Sequence, residues 1–316
     1  MMGKEKLSLI IVVPCYNEAD VLEQTTAHLL AVIESMQDTL NPDSRIICVD
    51  DGSTDATWDI IGLLHKKDRR VCGISLAHNS GHQNALMAGL TTAVRFSDFI
   101  VTIDADLQDD ETVIKDMVQL AMNGNDIVYG VRKSRASDTW FKRSSAQMFY
   151  RLMSSLGVNT VYNHADFRLM SRRAVEALLS YKERNLFLRG LVPLLGYRTA
   201  IVEYDRRQRT AGESKYPFGK MVSFAFDGIT SFSMRLVHMV LWMGIAFLLI
   251  SIGIAAWVVS SIVMHRTVSG WASLMLSVWV CCGCILIGLG IVGEYVGKIY
   301  MEVKRRPLYN IKDEKL

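Results

Sequence analysis

The sequence is poor in charged residues. Asp, Glu, Lys and Arg make up 21% of its 316 residues, below the ~25% of typical soluble domains, and apolar residues reach 50%. This composition excludes a disordered chain and is unusual for a water-soluble enzyme. The 35 basic residues exceed the 32 acidic ones by only three, so we expect no nucleic acid partner. We expect contact with a lipid bilayer instead, and any basic surface to be local.

Several common motifs are also absent. No strand candidate is followed by a GxGxxG or GxxxxGK[ST] loop, which leaves a dinucleotide dehydrogenase or a P-loop nucleotidase without support. The cysteines have no histidines at zinc-finger spacing. The first apolar run, 7–13, is short, ends at Pro14 and is followed by polar residues, unlike a cleaved signal peptide. We therefore expect the amino terminus to stay in the cytosol.

Short β-branched runs alternate with helical periods over the first 131 residues. The strand candidates are 7–13, 45–49, 71–76, 99–103 and 126–130. The helical stretches between them are 18–36, 56–66, 83–94 and 112–122. This order predicts an α/β fold with right-handed crossovers and a mainly parallel sheet flanked by helices on both faces. Because such sheets bind ligands beyond the carboxyl ends of their strands, the polar residues there are the candidate site.

Two long uncharged runs follow in the second half of the chain. Residues 236–264 and 267–293 contain no Asp, Glu, Lys or Arg, and about 20 residues suffice to cross the hydrocarbon core. We predict two transmembrane helices, 236–264 and 271–295, joined by an extracytoplasmic loop, 265–270. The alternative is a pair of buried core helices, which rarely combine such length with no charge.

Basic residues are distributed unevenly around these runs. The connecting loop holds one Lys or Arg, Arg266, whereas seven lie outside the two runs: Lys215, Lys220, Arg235, Lys298, Lys304, Arg305 and Arg306. The positive-inside rule therefore predicts a multi-pass protein of the inner membrane, with the sheet domain and both termini in the cytoplasm. The remaining expected segments are a catalytic domain, 1–214, an amphipathic juxtamembrane segment, 215–235, and a basic tail, 296–316. An ordinary helix packed on the catalytic domain is the alternative for the juxtamembrane segment.

Two pairs of acids follow strand candidates. Asp104 and Asp106, with Gln108 two residues later, form the strongest local signal. Two carboxylates at one strand end repel each other unless a cation neutralises them, and Mg²⁺ or Mn²⁺ suits a site that also holds a diphosphate. The second pair, Asp50 and Asp51, can accept hydrogen bonds from a base or a ribose.

An ordered set of motifs resembles family two inverting glycosyltransferases with the GT-A fold, a Rossmann-like arrangement. The motifs are Pro14-Cys15-Tyr16-Asn17-Glu18, Asp50-Asp51-Gly52-Ser53, Asp104-Ala105-Asp106-Leu107-Gln108-Asp109 and Arg209-Thr210-Ala211-Gly212-Glu213-Ser214-Lys215-Tyr216. The segment 166–171, DFRLMS, and the two apolar runs resemble more closely the bacterial polyprenyl-phosphate (bactoprenol) glucosyltransferases, relatives of dolichyl-phosphate mannose synthase. No QxxRW motif occurs, which argues against the processive polysaccharide synthases.

The resemblance implies roles for the matched residues. The implied catalytic residues are Asp104, Asp106 and Asp166. The nucleotide sugar would be held by Pro14, Tyr16, Glu18, Asp50, Asp51, Asn79, Asp104 and Asp106. A divalent cation, Mg²⁺ or Mn²⁺, would be held by Asp104, Asp106 and Gln108. The acceptor phosphate would be bound by Arg132, Arg209, Ser214 and Lys215, for which an ordinary solvated basic surface is the alternative. Polar loop positions rather than metal ligation are expected for His78, His82 and His164.

The implied reaction transfers a sugar, glucose from UDP-glucose, to undecaprenyl or another polyprenyl phosphate at the cytoplasmic leaflet. The same reaction with mannose, an amino sugar or a modified arabinose is an alternative, as is a non-catalytic membrane scaffold. Small residues in the two runs, and the GxxxG pair of Gly293 and Gly297 at the end of the second, allow a homo-oligomer without fixing its size.

Overall fold

A computed structural model describes residues 6–133, 164–184, 186–205 and 270–316, with scattered residues between 240 and 264. Its strands are Leu9–Cys15 (β1), Arg45–Asp50 (β2), Val71–Leu76 (β3), Phe99–Thr102 (β4), Ile127–Arg132 (β5), His164–Ser171 (β6), Thr199–Tyr204 (β7) and Ile311–Lys315 (β8). Its helices are Leu22–Glu34 (α1), Thr57–Lys67 (α2), His82–Ala93 (α3), Ile114–Met122 (α4), Arg172–Ser180 (α5), Leu188–Leu194 (α6) and Trp271–Lys304 (α7).

All eight strands form one mixed sheet in the order β7-β5-β6-β4-β1-β2-β3-β8. Only β6 and β8 run antiparallel to their neighbours, so the predicted mainly parallel sheet is confirmed. The five strand candidates match β1 to β5. The carboxyl ends of these five strands therefore share one edge of the sheet, where the candidate site was expected.

Apolar side chains cover both faces of the sheet. In β1, Leu9, Ile11 and Val13 pack into a layer with α1, α2 and α4, while Ile10 and Val12 pack into a second layer with α3, α5 and α6. Burial on both faces explains why the run is continuously apolar rather than alternating, as is typical of strands in parallel sheets.

Helix α3 lies very close to the sheet. A Cβ atom on Gly89 would lie 2.3 Å from Cγ1 of Val12 and 2.9 Å from Cγ2 of Val49, so only glycine permits this approach. The packing fixes the direction of α3. Its first residue, His82, is thereby placed at the edge of the sheet that carries the site.

Helix α7 is 34 residues long, and by length and composition it could cross a membrane. Its segment Val280–Lys304 has a mean hydropathy of 1.9, and it is the one candidate membrane span among the described residues. The prediction of two transmembrane helices is therefore not confirmed. Some residues between 240 and 264 are described and helical, and a Cβ atom on Gly288 would lie 3.0 Å from Cγ1 of Val240.

The chain returns to the sheet after α7. The helix ends at Lys304, beyond the predicted boundary at 295, and β8 then pairs with β3 and forms one edge of the sheet. The hydroxyl of Tyr309 donates a hydrogen bond to Oγ1 of Thr91 (3.1 Å). The ammonium of Lys315 lies 3.6 Å from the centre of the Trp58 ring. The segment predicted as a basic tail thus includes the last turns of α7 and a strand of the sheet.

Candidate active site

The loops that follow β1 and β2 are joined by hydrogen bonds. The amide of Asn17 donates to Oγ of Ser53 (3.0 Å), and the amide of Thr54 donates to Oδ1 of Asn17 (2.8 Å). The amide of Glu18 donates to Oγ1 of Thr57 (3.0 Å). Asn17 has a φ of +55°, a conformation that asparagine tolerates better than most residues. These bonds hold the loop of Tyr16 and Glu18 at the edge of the sheet.

The Asp50 and Asp51 carboxylates lie beneath the rim rather than on it. Asp50 accepts hydrogen bonds from the Ser53 amide and the Ser75 hydroxyl, each at 3.0 Å. Asp51 accepts from the amides of Ser80 (2.7 Å) and Gly81 (2.9 Å). Burial raises the pKa of Asp51, although these two amides oppose the shift. In this structure, the two carboxylates connect the loops that follow β2 and β3.

The remaining predicted nucleotide contacts have different exposures. Pro14 lies inside β1, where it pairs with Val49 of β2. Tyr16 is 40% exposed, and Asn79 is exposed in the loop after β3. Gly52, with a φ of +67°, lets its loop approach His78, because a Cβ atom there would lie 2.6 Å from the His78 carbonyl carbon.

The acid pair after β4 is partly open to solvent. The Asp104 side chain is 37% exposed, and Oδ1 of Asp106 accepts a hydrogen bond from the amide of Gln108 (3.2 Å). Partial loss of contact with water raises the pKa of Asp104 to about 6. His82 opposes this shift, and the carboxylates of Asp166, Asp109 and Asp106 add to it. Several carboxylates are therefore crowded at this strand end.

This crowding fits a hard divalent cation. No group of three or more His, Cys, Asp or Glu side chains is arranged to hold a metal ion in the described ranges. Mg²⁺ commonly uses only one or two protein carboxylates, completing its shell with water and substrate phosphates. Asp104 and Asp106 could therefore hold such an ion together with a diphosphate, while Gln108 is buried at 6% exposure.

A buried network positions Arg132 at the end of β5. Asp109 accepts hydrogen bonds from the hydroxyl of Tyr204 (2.6 Å) and from Nη2 of Arg132 (3.0 Å). Nε of Arg132 also donates to the Tyr204 hydroxyl (3.3 Å). The guanidinium, whose side chain is 25% exposed, is thus fixed beside the acidic loop.

The Asp166 carboxylate lies among three cationic or protonatable side chains. Because β6 runs antiparallel to β4, the amino end of β6 lies at the edge of the sheet where β4 ends. The Thr102 hydroxyl donates a hydrogen bond to the Asp166 carbonyl (2.5 Å). Nη2 of Arg168 and Nη2 of Arg189 lie 2.6 and 3.0 Å from its carboxylate oxygens. Burial opposes ionisation, but Arg189, His82 and Arg168 together hold the pKa of Asp166 well below its ordinary value.

His82 lies between two of the predicted catalytic acids. Its Nε2 is 3.7 Å from Oδ1 of Asp104 and 3.6 Å from Oδ2 of Asp166. Burial acts to lower the pKa of His82, but these two carboxylates outweigh it, and the net shift is upward. The prediction of a loop position for His82 was wrong, because His82 is the first residue of α3, and the close contact of α3 with the sheet places it beside the two acids.

Comparison with known proteins identifies the family. Residues 10–179 match the family model described as Glycosyl transferase family 2. The chain is a family 2 glycosyltransferase. It is 49% identical to "Uncharacterized glycosyltransferase YkoT" of Bacillus subtilis, over 98% of this chain and 93% of that one. It is 37% identical to "Bactoprenol glucosyl transferase" of Shigella phage SfV, over 98% and 99% of the two chains. Identity to the "Prophage bactoprenol glucosyl transferase homolog" of Escherichia coli K12 is 35%, over 97% and 99%.

The predicted family resemblance is therefore confirmed, and the protein is a transferase enzyme. The structure of this glycosyltransferase brings Asp104, Asp106 and Asp166 together at one edge of the sheet, with Arg132 nearby. Three predicted acceptor-binding residues lie outside the described residues: Arg209, Ser214 and Lys215.

The sequence assigned no role to three side chains of the candidate site: His82, Arg168 and Arg189. Arg168 stands two residues after Asp166 in the segment 166–171. Side chains two residues apart on a strand share one face, so this spacing could have indicated that the two lie together. Arg189 has no such signal, because it reaches Asp166 from α6, 23 positions later in the chain. The candidate site thus has an acidic side at β4 and a cationic side at β6 and α6.

Proposed function

We propose that this glycosyltransferase transfers glucose from UDP-glucose to a polyprenyl phosphate such as undecaprenyl phosphate. Similarity to relatives named bactoprenol glucosyl transferase carries the proposal. It spans 97–98% of this chain, and so includes the sheet, the acidic loops and α7. A match over the catalytic part alone would not favour a lipid acceptor in this way.

The acidic side of the site is proposed to bind the donor. Asp104 and Asp106, with Gln108, would hold Mg²⁺ or Mn²⁺, which when bound stabilises the negative charge of the departing diphosphate. The nucleotide would lie along the loops of β1, β2 and β3, which include Pro14, Tyr16, Glu18, Asp50, Asp51 and Asn79. The partly exposed acid pair and the exposed Tyr16 and Asn79 support this placement.

The chemical step needs no strong base. A phosphate monoester has its second pKa near ~6, so the acceptor is already anionic at neutral pH. A lone pair on its oxygen forms the bond to the anomeric carbon while the bond from that carbon to the nucleotide diphosphate breaks. The bonding pair leaves with the diphosphate, and no proton is transferred. Attack opposite the leaving group inverts the anomeric centre.

Basic side chains are proposed to bind the acceptor phosphate. Arg132 is held beside the acidic loop after β4 by Asp109 and Tyr204, and a guanidinium can bind two phosphate oxygens at once. Arg209, Ser214 and Lys215 lie 21 to 27 residues before the first predicted span, which favours a position near the lipid headgroups.

We further propose a hairpin of two membrane helices, 236–264 and 271–295, with the sheet domain at the cytoplasmic leaflet of the inner membrane. The sheet supports this topology, because β7 precedes and β8 follows the apolar helix α7 in one and the same sheet. If α7 crosses the bilayer once, the chain between β7 and α7 must cross it in the other direction. The uncharged run 236–264 has the necessary length.

A donor screen with purified protein in lipid nanodiscs tests the proposal. The acceptor is polyprenyl phosphate, and the donors are UDP-glucose, GDP-mannose, a UDP-amino sugar and a UDP-linked modified arabinose. We expect transfer from UDP-glucose that stops in excess chelator and returns with Mg²⁺ or Mn²⁺. Faster transfer from another donor would contradict the assignment of glucose and identify that donor's sugar as the one transferred. Absence of transfer from every donor would contradict the enzymatic assignment to this acceptor.

A further inference from the structure

The Asp166 cluster, which comprises Asp166, Arg168, Arg189 and His82, has a feature that the proposed reaction does not use. Arg168 lies 2.6 Å from Oδ1 of Asp166, and Arg189 lies 3.3 Å from Oδ1 through Nε and 3.0 Å from Oδ2 through Nη2. The His82 ring lies 3.6 Å from Oδ2. Both carboxylate oxygens, which together offer about four acceptor positions, therefore face cationic or protonatable donors.

This surrounding makes Asp166 a poor proton acceptor. A base must offer a lone pair to the group that it deprotonates, whereas here both oxygens already accept from guanidinium groups. An anionic phosphate acceptor has no proton to give up. The negative charge of Asp166 is better suited to holding the two arginines in place.

The two arginines differ in exposure. The Arg168 side chain is 2% exposed and also reaches the Leu188 carbonyl (3.5 Å), so it belongs to the interior. The Arg189 side chain is 36% exposed and projects from α6. Arg189 is therefore the arginine of the cluster that a ligand in the site can contact.

Arg189 also lies on the appropriate side of the site. Within the cluster, His82 lies between Asp166 and Asp104, because its Nε2 is 3.6 Å from Oδ2 of Asp166 and 3.7 Å from Oδ1 of Asp104. An inverting displacement needs the nucleophile and the leaving group on opposite sides of the reacting carbon. With the diphosphate at Asp104 and Asp106, the cationic side remains for the incoming anion.

We propose that Arg189, held by Asp166, binds the phosphate group of the acceptor. This inference rests on the proposed function and adds a binding residue to it. The planar guanidinium matches two phosphate oxygens, which a lysine ammonium does not. Asp166 is then a positioning residue, which acts on the acceptor through Arg189.

Kinetics of Arg189→Gln and Arg189→Lys test the assignment. We expect Arg189→Gln to raise the KM for polyprenyl phosphate at least about tenfold, the usual effect of losing a charged hydrogen bond. Arg189→Lys keeps the charge without the paired geometry and should give an intermediate KM. The KM for UDP-glucose should change much less than the KM for polyprenyl phosphate. The matched control is Arg172→Gln, because Arg172 of α5 also pairs with an aspartate, Asp98 (3.8 Å), outside the site.

An unchanged acceptor KM in both variants would overturn the inference. So would a rise in the KM for UDP-glucose instead, because Arg189 would then serve the donor diphosphate. If Arg189→Gln does not fold, as judged by its thermal unfolding, Arg189→Lys decides the question.

Direct titration separates this inference from the proposed function. Wild type and Arg189→Lys are titrated with a short-chain prenyl phosphate in the absence of donor, and the lysine variant should bind more weakly. Equal binding overturns the role of Arg189 even if sugar transfer is observed. Weaker binding by the variant supports that role even if wild type transfers no sugar from any donor tested.

Discussion

The Asp106 side chain is partly exposed, and it accepts a hydrogen bond that an asparagine side chain could also accept. Its Oδ1 accepts from the Gln108 amide, and the side-chain carbonyl of an asparagine at this position can accept the same bond. We expect Asp106→Asn to lower turnover about 10²–10³-fold, since it removes a charge that stabilises the transition state indirectly through the cation. Sugar transfer measures the loss, and the thermal unfolding midpoint should not change.

The control for this variant is Asp110→Asn. Asp110 caps the short 3₁₀ turn Glu111–Val113 by accepting from the Thr112 amide (3.1 Å), a role that asparagine shares. The Asp110→Asn variant should retain wild-type turnover. Full activity of Asp106→Asn would reject the assignment of Asp106 to the cation.

Asp126 gives a pH dependence of stability. Hydrogen bonds from Arg173, helped by Ser171 and opposed by burial, lower the pKa of Asp126. Because the unfolded carboxyl has an ordinary pKa near ~3.9, the unfolded chain takes up this proton first as the pH falls. The stabilisation is therefore complete at neutral pH and is lost as the pH drops below about 4 towards the lowered folded pKa.

The test compares wild type with Asp126→Asn by thermal unfolding from pH 7 to pH 3. The variant should be less stable at pH 7, and the difference should shrink towards pH 3. Asp116→Asn, at an exposed position of α4, should follow wild type throughout. A difference that stays constant with pH would show that the charge of Asp126 does not cause it.

At the scale of elements, the contact of α3 with the sheet depends on one glycine. We expect Gly89→Ala to destabilise the protein by about 1–3 kcal/mol, because its methyl group would collide with Val12 and Val49 inside a packed core. Chemical unfolding measures the change. Displacement of α3 should also lower turnover, because α3 carries His82.

Gly62 offers the same substitution with the opposite expected sign. A Cβ atom there would lie 3.1 Å from Nζ of Lys315, the far end of a long side chain that can shift by a few tenths of an ångström. Gly62→Ala in α2 should therefore stabilise the helix by about 0.5–1 kcal/mol. Equal effects of the two substitutions would contradict the close packing of α3.

The strands differ in how far their own residues predict them. Strands β1 to β5 were predicted from apolar runs, which burial on both faces requires. Strand β8 reads Ile-Lys-Asp-Glu-Lys and is largely exposed. Its own pattern is not that of a strand, so its conformation depends on the hydrogen bonds that β3 provides.

At the scale of the whole molecule, the proposed hairpin predicts opposite accessibility for two positions. Thr267 lies in the predicted extracytoplasmic loop, and Lys312 is exposed in β8. In sealed cells, a membrane-impermeant thiol reagent should label Thr267→Cys above the background of the native cysteines. Lys312→Cys should be labelled only after permeabilisation. Equal labelling before permeabilisation, or labelling of Lys312→Cys alone, would contradict the proposed topology.

The sequence by itself determined the parallel half of the sheet, the acid pair after β4 and the family. These features are local, because they depend on apolar periodicity and on short motifs at strand ends. The tertiary structure decided the surroundings of Asp166, since β6 enters from the opposite direction and Arg189 arrives from a separate helix. The tertiary structure also places His82 between Asp104 and Asp166, and it pairs β8 with β3. Contacts between residues distant in the chain have no local pattern, so only the packed molecule could determine them.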